Sequence, residues 1–312
     1  MENNFFDVII IGAGPAGLAA AQYATRANMK TLLVESKITG GQALQIMSLE
    51  NFPGLYPPVS GNDYVEAMML QAIHFGATFV TVNIFSLDKI GDTFVLKTDK
   101  ETFSSYTVII ATGAEHRKLG AVGEADFVGR GVSYCATCDG PFFKNKNVLV
   151  VGGGDSACDE AMYLSSIASQ VILVHRKSQF RAQEQVAQRV FQNPKITVLL
   201  NTIVLEIQGT DRVEKVIIQN TQEGKKEELS VAGIFIYVGM NPRTALVDML
   251  PKDGEGYILT DDKMETAVKG LFCAGDVRSK SFRQVVTAVS DGAIAADSAQ
   301  KYVRHQISKG LK

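Results

Sequence analysis

The chain is 312 residues long, 46% apolar and 21% charged, and carries a net charge of −2 from 31 basic and 33 acidic residues. That length points to two domains with sizeable cores, and the near-neutral balance offers neither the basic footprint of a nucleic-acid binder nor a polybasic membrane anchor. The first apolar run, Val8 to Ile11, is too short for a signal-peptide core or for the ~20 residues of a spanning helix, so the expected location is the cytoplasm.

Phe6 to Ile11 is an apolar, β-branched run of the kind that forms a buried parallel strand. It breaks into Gly12-Ala13-Gly14-Pro15-Ala16-Gly17, continues as an alanine-rich helix over Leu18 to Asn28, and returns as a strand over Thr31 to Val34 that ends in Glu35. Strand, glycines, helix, strand and terminal acid together are the dinucleotide fingerprint. Gly12 permits the tight turn, Gly14 the approach of a pyrophosphate, Gly17 the packing of helix on strand, and Glu35 accepts ribose hydroxyls. The helix N-terminus faces the phosphates with free N–H groups.

Loops follow at Gly40-Gly41-Gln42, at Glu50-Asn51-Phe52-Pro53-Gly54 and at Tyr56-Pro57-Pro58. Asp63 to Gly76 is expected as an amphipathic helix, Thr78 to Leu87 and Thr93 to Thr98 as alternating strands, and Val108 to Ala114 as a strand returning to the first sheet. Cys135-Ala136-Thr137-Cys138-Asp139-Gly140 comes next. Of the four cysteines, Cys135, Cys138, Cys158 and Cys273, only the first two are closely spaced. In a reducing compartment such a pair suits a labile, catalytic disulfide. Structural zinc, the alternative, needs four ligands and finds no second Cys-x-x-Cys. Asp139, beside a redox thiol, is the natural acid–base group; a turn role before Gly140 is its plainer alternative.

The dinucleotide unit then recurs at an offset of 140 residues, Gly12 matching Gly152, Gly14 matching Gly154, Gly17 matching Ala157 and Glu35 matching His175. Asn147 to Val151 is the strand, Gly152-Gly153-Gly154-Asp155-Ser156-Ala157 the turn, Cys158 to Ala168 the helix and Gln170 to Val174 the second strand. Two units imply two nucleotides. Where the first carries an acid, the second carries His175-Arg176-Lys177 with Arg181 following. An acid repels a 2′-phosphate, whereas guanidinium groups hold one. The first unit therefore suits the ribose of FAD or NAD, and the second NADP(H).

Thr197 to Ile207 and Val213 to Gln219 are expected as paired strands, Ile234 to Val238 as the last strand of the second domain, Leu271 to Asp276 as a strand ending in an acid, and Ser290 to His305 as a final helix. The fold class is α/β, with two Rossmann-like, three-layer dinucleotide-binding domains, the second inserted into the first. The expected limits are 1–114 and 246–312 for the first domain and 115–245 for the second.

With these residues in order, the chain resembles the low-molecular-weight thioredoxin reductases along nearly its whole length. The resemblance is carried by Gly12-x-Gly14-x-x-Gly17, Gly40-Gly41-Gln42, Glu50-Asn51, Ala111-Thr112-Gly113-Ala114, the Cys135–Asp139 segment, Gly152 to Ala157, His175-Arg176-x-x-x-Phe180-Arg181, Gly275-Asp276-Val277 and Arg283-Gln284. It implies a homodimeric flavoprotein that passes electrons from NADPH through FAD and a Cys135–Cys138 disulfide to thioredoxin, with Cys138 facing the flavin and Cys135 attacking the partner. FAD contacts would fall on Gly12, Gly14, Ala16, Glu35, Gly41, Gln42, Asn51, Asp276, Arg283 and Gln284. NADPH contacts would fall on Gly154, Asp155, Ser156, His175, Arg176 and Arg181.

Lys177 stands where that family often has a second arginine, Ala43 to Leu49 is largely apolar where it is commonly threonine-rich, and Cys273 occupies a position usually filled by a small apolar residue. The thiols and the second turn share one domain, so that domain is expected to turn about strands near 114–117 and 241–246 to present each to the flavin. A related flavoprotein serving another thioredoxin-like or peroxiredoxin-system partner is the nearest alternative. A non-catalytic dinucleotide sensor with a Cys135–Cys138 switch is the more distant one.

Overall fold

The computed structural model describes residues 4–46, 48–49 and 51–310, with side chains to 308; Met47 and Glu50 lie outside the described residues. The chain divides into two contact-dense units, one running up to Glu115 and resuming at Asn241, the other covering His116–Met240.

In the discontinuous unit, β1 (Phe5–Ile11), α1 (Pro15–Arg26), β2 (Thr31–Glu35), α2 (Gly61–His74) and β3 (Thr78–Thr81) are followed by β4 (Ile84–Ile90), β5 (Thr93–Thr98), β6 (Thr102–Ile110) and β7 (Ala114–His116). The order β3-β2-β1-β6 is parallel, and β6 is long enough to pair both with β1 and, antiparallel, with the β5–β4 hairpin. Every residue of β1 from Val8 to Ile11 is buried, because the strand has a layer on each face. Val8 and Ile10 meet the alanines of α1 and of the C-terminal helix, while Phe6, Ile9 and Ile11 meet Leu87, Phe94 and Leu96. Each such side chain contributes roughly 1.5–3 kcal/mol of apolar burial. The run Thr78 to Leu87, expected as one strand, is two: β3 continues the parallel sheet and β4 turns back to pair with β5.

The second unit repeats the plan. It contains β8 (Val132–Ser133), α3 (Ala136–Asp139), β9 (Asn147–Gly152), α4 (Asp155–Ser165), β10 (Gln170–Val174), α5 (Glu184–Gln192), β11 (Ile196–Leu199), β12 (Thr202–Gly209), β13 (Val213–Asn220), β14 (Lys226–Ser230) and β15 (Gly233–Tyr237). A parallel sheet of order β11-β10-β9-β15-β8 has α3, α4 and α5 on one face and the β12-β13-β14 sheet on the other. Thr197 to Ile207 is also two strands: β11 extends the parallel sheet and β12 belongs to the antiparallel one.

The chain returns through β16 (Met240–Pro242), which pairs with β7, and the Arg243 N–H donates to the Gly113 carbonyl at 3.0 Å. β17 (Leu271–Cys273) joins β6 on the parallel sheet, and α6 (Val285–Gly310) completes the helical layer. Among the described residues no helix is long and apolar enough to cross a membrane.

Candidate active site

In the first unit the glycine turn leaves the sheet at the C-terminal end of β1, between β2 and β6, the crevice at which nucleotides bind open α/β sheets. Gly12 has φ +106°, and a Cβ there would stand 2.4 Å from the Ala111 carbonyl oxygen, so no other residue fits. Gly14 differs: its φ is −78° and a Cβ would meet nothing within 4 Å. The space above it is open to a ligand.

Glu35 Oε2 accepts the Ala13 N–H at 2.9 Å, and Oε1 accepts those of Ser36 and Lys37, which fixes the carboxylate beside the turn. Gly41 opens the 3-10 turn Gly41–Gln45 and packs on Gly14, whose Cα lies 3.5 Å from where its Cβ would be. Gln42 donates to the Ala114 carbonyl. Ala16 is buried, its Cβ 2.8 Å from where a Gly275 Cβ would stand, and so the glycine turn and Gly275-Asp276 meet although far apart in sequence. Asn51 Nδ2 donates to Gln284 Oε1 at 3.0 Å.

Beyond Gly275 lies a cluster of charges. Lys280 Nζ is 3.1 Å from Asp276 Oδ1 and 3.2 Å from Asp291 Oδ2, and Arg278 contacts Asp291 Oδ1 at 3.4 Å. The Lys280 contact with Asp276 Oδ1 is an ion pair only, since that oxygen is buried without a hydrogen-bond partner, as is Arg283 Nε. The Arg283 guanidinium lies over the Tyr257 ring, 3.8 Å from its centroid. A buried acceptor, a buried donor and open space above Gly14 fit a polar, phosphate-bearing flavin cofactor.

In the second unit Cys135 and Cys138 form a disulfide across α3, with Cα atoms 5.3 Å apart. The Ser133 hydroxyl donates to Asp139 Oδ2 at 2.6 Å and accepts the Cys135 N–H at 3.1 Å. Burial pushes the Asp139 carboxyl above its ordinary range, and the Ser133 hydrogen bond opposes that. Ser133 was not singled out in the sequence; the hydroxyl beside the thiol pair was its only signal.

The second glycine turn caps α4. A Cβ on Gly154 would meet nothing within 4 Å, as at Gly14. Asp155 Oδ1 accepts the Gln183 N–H at 2.8 Å, and the Gly153 carbonyl accepts the Arg181 N–H at 2.6 Å, so the basic loop is tied to the turn. Ser156, Arg176, Lys177 and Arg181 are exposed along that edge. His175 is not. Its ring is buried against Gly153, where a Cβ would stand 2.2 Å from Nδ1, and its Nε2 has no partner. Burial lowers its pKa, and the charges of Arg181 and Arg176 act the same way, which favours the neutral ring. It packs beneath the turn, whereas Arg176, Lys177 and Arg181 are exposed.

The other two thiols are core residues. Cys158 and Cys273 are free and fully buried; burial, with the charges of Asp159 and Asp155, pushes Cys158 up to about 11, and burial pushes Cys273 higher still.

Residues 6–292 match the model of the pyridine nucleotide-disulphide oxidoreductase family. A thioredoxin reductase of Treponema pallidum is 51% identical, covering 97% of this chain and 98% of its own. Among solved structures, thioredoxin reductase from Streptococcus pyogenes is 43% identical with a TM-score of 0.92, over 97% of this chain and 99% of that one. The enzyme from Giardia duodenalis is 35% identical with a TM-score of 0.91, over 97% and 100%.

Proposed function

The chain belongs to the pyridine nucleotide-disulphide oxidoreductases and, among them, to the thioredoxin reductases, and from that premise we propose how its residues carry electrons from a nicotinamide nucleotide to thioredoxin. The observation that carries the reading is the Cys135–Cys138 disulfide, held beside an acid in the same unit as the second glycine turn.

The flavin is FAD, bound by the discontinuous unit through Gly12, Gly14, Ala16, Glu35, Gly41, Gln42, Asn51, Asp276, Arg283 and Gln284. Asp276 Oδ1 and Arg283 Nε, buried without hydrogen-bond partners, support that set. The nucleotide is NADPH, bound by the His116–Met240 unit: Gly154, Asp155 and Ser156 take the pyrophosphate, His175 supports the turn, and Arg176 and Arg181 take the 2′-phosphate. When bound, the flavin supplies the means of turning a hydride from the nicotinamide into an electron pair for the disulfide.

Cys138 receives that pair as the disulfide opens; with two protons the product is a dithiol. Cys135, as thiolate, attacks the thioredoxin disulfide, forming a mixed disulfide as the partner's S–S bond breaks. Cys138 then attacks the Cys135 sulfur, which re-forms the enzyme disulfide and releases the partner's second thiolate. Asp139, whose burial favours the protonated carboxyl, is the group that passes a proton to a departing thiolate. The reaction takes place in the cytoplasm, and the working enzyme is a homodimer.

Anaerobic titration of the yellow holoenzyme tests this. NADPH is expected to bleach the flavin absorbance, thioredoxin to restore it, and NADH to act weakly. Replacing Arg176 and Arg181 by alanine lowers kcat/KM for NADPH by about 10–100-fold, the worth of a lost charge-assisted contact, and leaves that for NADH little changed. Bleaching without reoxidation by thioredoxin would refute the assignment; equal use of NADH by the parent enzyme would remove the two arginines from it.

A further inference from the structure

Tyr237 ends β15, which lies between β9 and β8 in the parallel sheet of the second unit, and is far in sequence from the thiols. Its backbone is fixed by β9: Tyr237 pairs with Gly152, and its carbonyl oxygen lies only 2.6 Å from where a Gly152 Cβ would be. At its other end β15 lies against Phe143, five residues beyond Cys138, since a Cβ on Gly233 would stand 2.3 Å from the Phe143 ring. From this rigid base the phenol oxygen accepts the Ala136 N–H at 2.6 Å. Ala136 is 0% exposed, so its N–H is shielded from bulk solvent and the phenol is its hydrogen-bond partner.

The peptide linking Cys135 to Ala136 is thereby held at both ends, because the Cys135 carbonyl accepts the Asp139 N–H at 3.1 Å. The phenol remains a neutral acceptor throughout the working range. Burial and the charges of Glu160 and Asp139 raise its pKa well above the ordinary value, although the Ala136 hydrogen bond acts the other way.

We propose that Tyr237 is a positioning residue for the thiol–disulfide step: its phenol clamps the Cys135–Ala136 peptide and so sets the effective concentration at which the Cys135 and Cys138 sulfurs meet. The equilibrium between this dithiol and a monothiol such as glutathione measures that effective concentration directly. Two thiols held in register close readily, and effective molarity falls steeply when positioning is lost. Two elements that build the nucleotide turn, β15 and α4, also carry the redox segment: a Cβ on Gly140 would lie 3.2 Å from both Tyr163 and Leu164 of α4. The clamp thus ties the redox pair to the frame of the second glycine turn. The inference rests on Cys135–Cys138 as the redox pair and is independent of which nucleotide binds.

The test uses the holoenzyme and its Tyr237→Phe variant, equilibrated anaerobically with glutathione–glutathione disulfide mixtures at pH 7. The dithiol fraction is read by acid quenching and mass-shift alkylation, with flavin content and nucleotide affinity measured in parallel. Loss of the phenol oxygen is expected to shift the equilibrium toward the dithiol by at least about threefold, a modest share of the loss that mispositioning causes. An unchanged constant, or a shift toward the disulfide, overturns the proposal. Should the variant fail to retain flavin, amide exchange in the parent enzyme decides: the Ala136 amide is protected if the clamp exists, and exchange at the free-peptide rate overturns it.

Discussion

Burial raises the Asp139 carboxyl above its ordinary range while the Ser133 hydroxyl pulls it partly back, so this side chain keeps its proton where a free aspartate has lost it. The sign of the consequence follows from linkage. A carboxyl whose pKa is raised by folding favours the fold below its ordinary pKa, and that contribution is lost as pH rises through the raised value. Asp139→Asn is therefore expected to leave the melting temperature at pH 8 unchanged or higher, while lowering thioredoxin turnover by about 10²-fold, the lower end of what general acid–base catalysis supplies. A loss of turnover accompanied by a lower melting temperature would instead mark Asp139 as a structural turn residue.

At this scale the sequence is partly legible. Cys135, Cys138 and Asp139 stand out because their chemistry is local and contiguous. Ser133 and Tyr237 do not, because a serine before a thiol pair and a tyrosine ending an apolar strand have ordinary roles everywhere. Only the fold brings their oxygens to the Cys135–Asp139 segment.

The two strand–turn–helix units were legible as elements because their glycines repeat in register within matching apolar runs. Gly14 and Gly154 share a further property that arises only in the fold: both have negative φ, and a Cβ on either would meet no protein atom within 4 Å. Alanine at either position is expected to fold normally yet to obstruct the nucleotide. Gly14→Ala should yield protein of parent-like stability that loses flavin on gel filtration. Gly154→Ala should stay yellow while the dissociation constant for NADPH rises by tenfold or more. A colourless Gly154→Ala protein would show that the two turns do not act separately.

The elements misread as single strands, Thr78 to Leu87 and Thr197 to Ile207, fail for one reason. Alternation marks a strand but does not say which neighbour it pairs with, and each run changes sheets or pairing partners midway. β14 was missed because Lys226, Glu227 and Glu228 are exposed and give no apolar signal; pairing with β13 makes it a strand.

For the whole molecule, both units follow one plan, a parallel sheet with helices on one face and an antiparallel layer on the other. Composition and length indicated two domains; the nested order came from the fingerprint recurring before the first sheet was complete. Leu70 and Phe75 of the discontinuous unit expose apolar surface in a groove shared with Gln22, Arg26 and His74. Sedimentation of the holoenzyme is expected to give twice the chain mass of 33.8 kDa, and Leu70→Glu to shift it toward the monomer. A parent enzyme sedimenting as a single chain would remove the homodimer.

The two strands at which the chain passes between units, β7 and β16, lie side by side as a hydrogen-bonded pair, and the Arg117 N–H reaches the Gly239 carbonyl at 2.9 Å just inside them. The inserted segment therefore begins and ends at almost the same point, as do domains that tolerate transplantation. Ends this close need only a short bridge if such a segment is excised. The nesting is thus of the kind a single ancestral insertion of one nucleotide-binding module into a loop of another would leave behind.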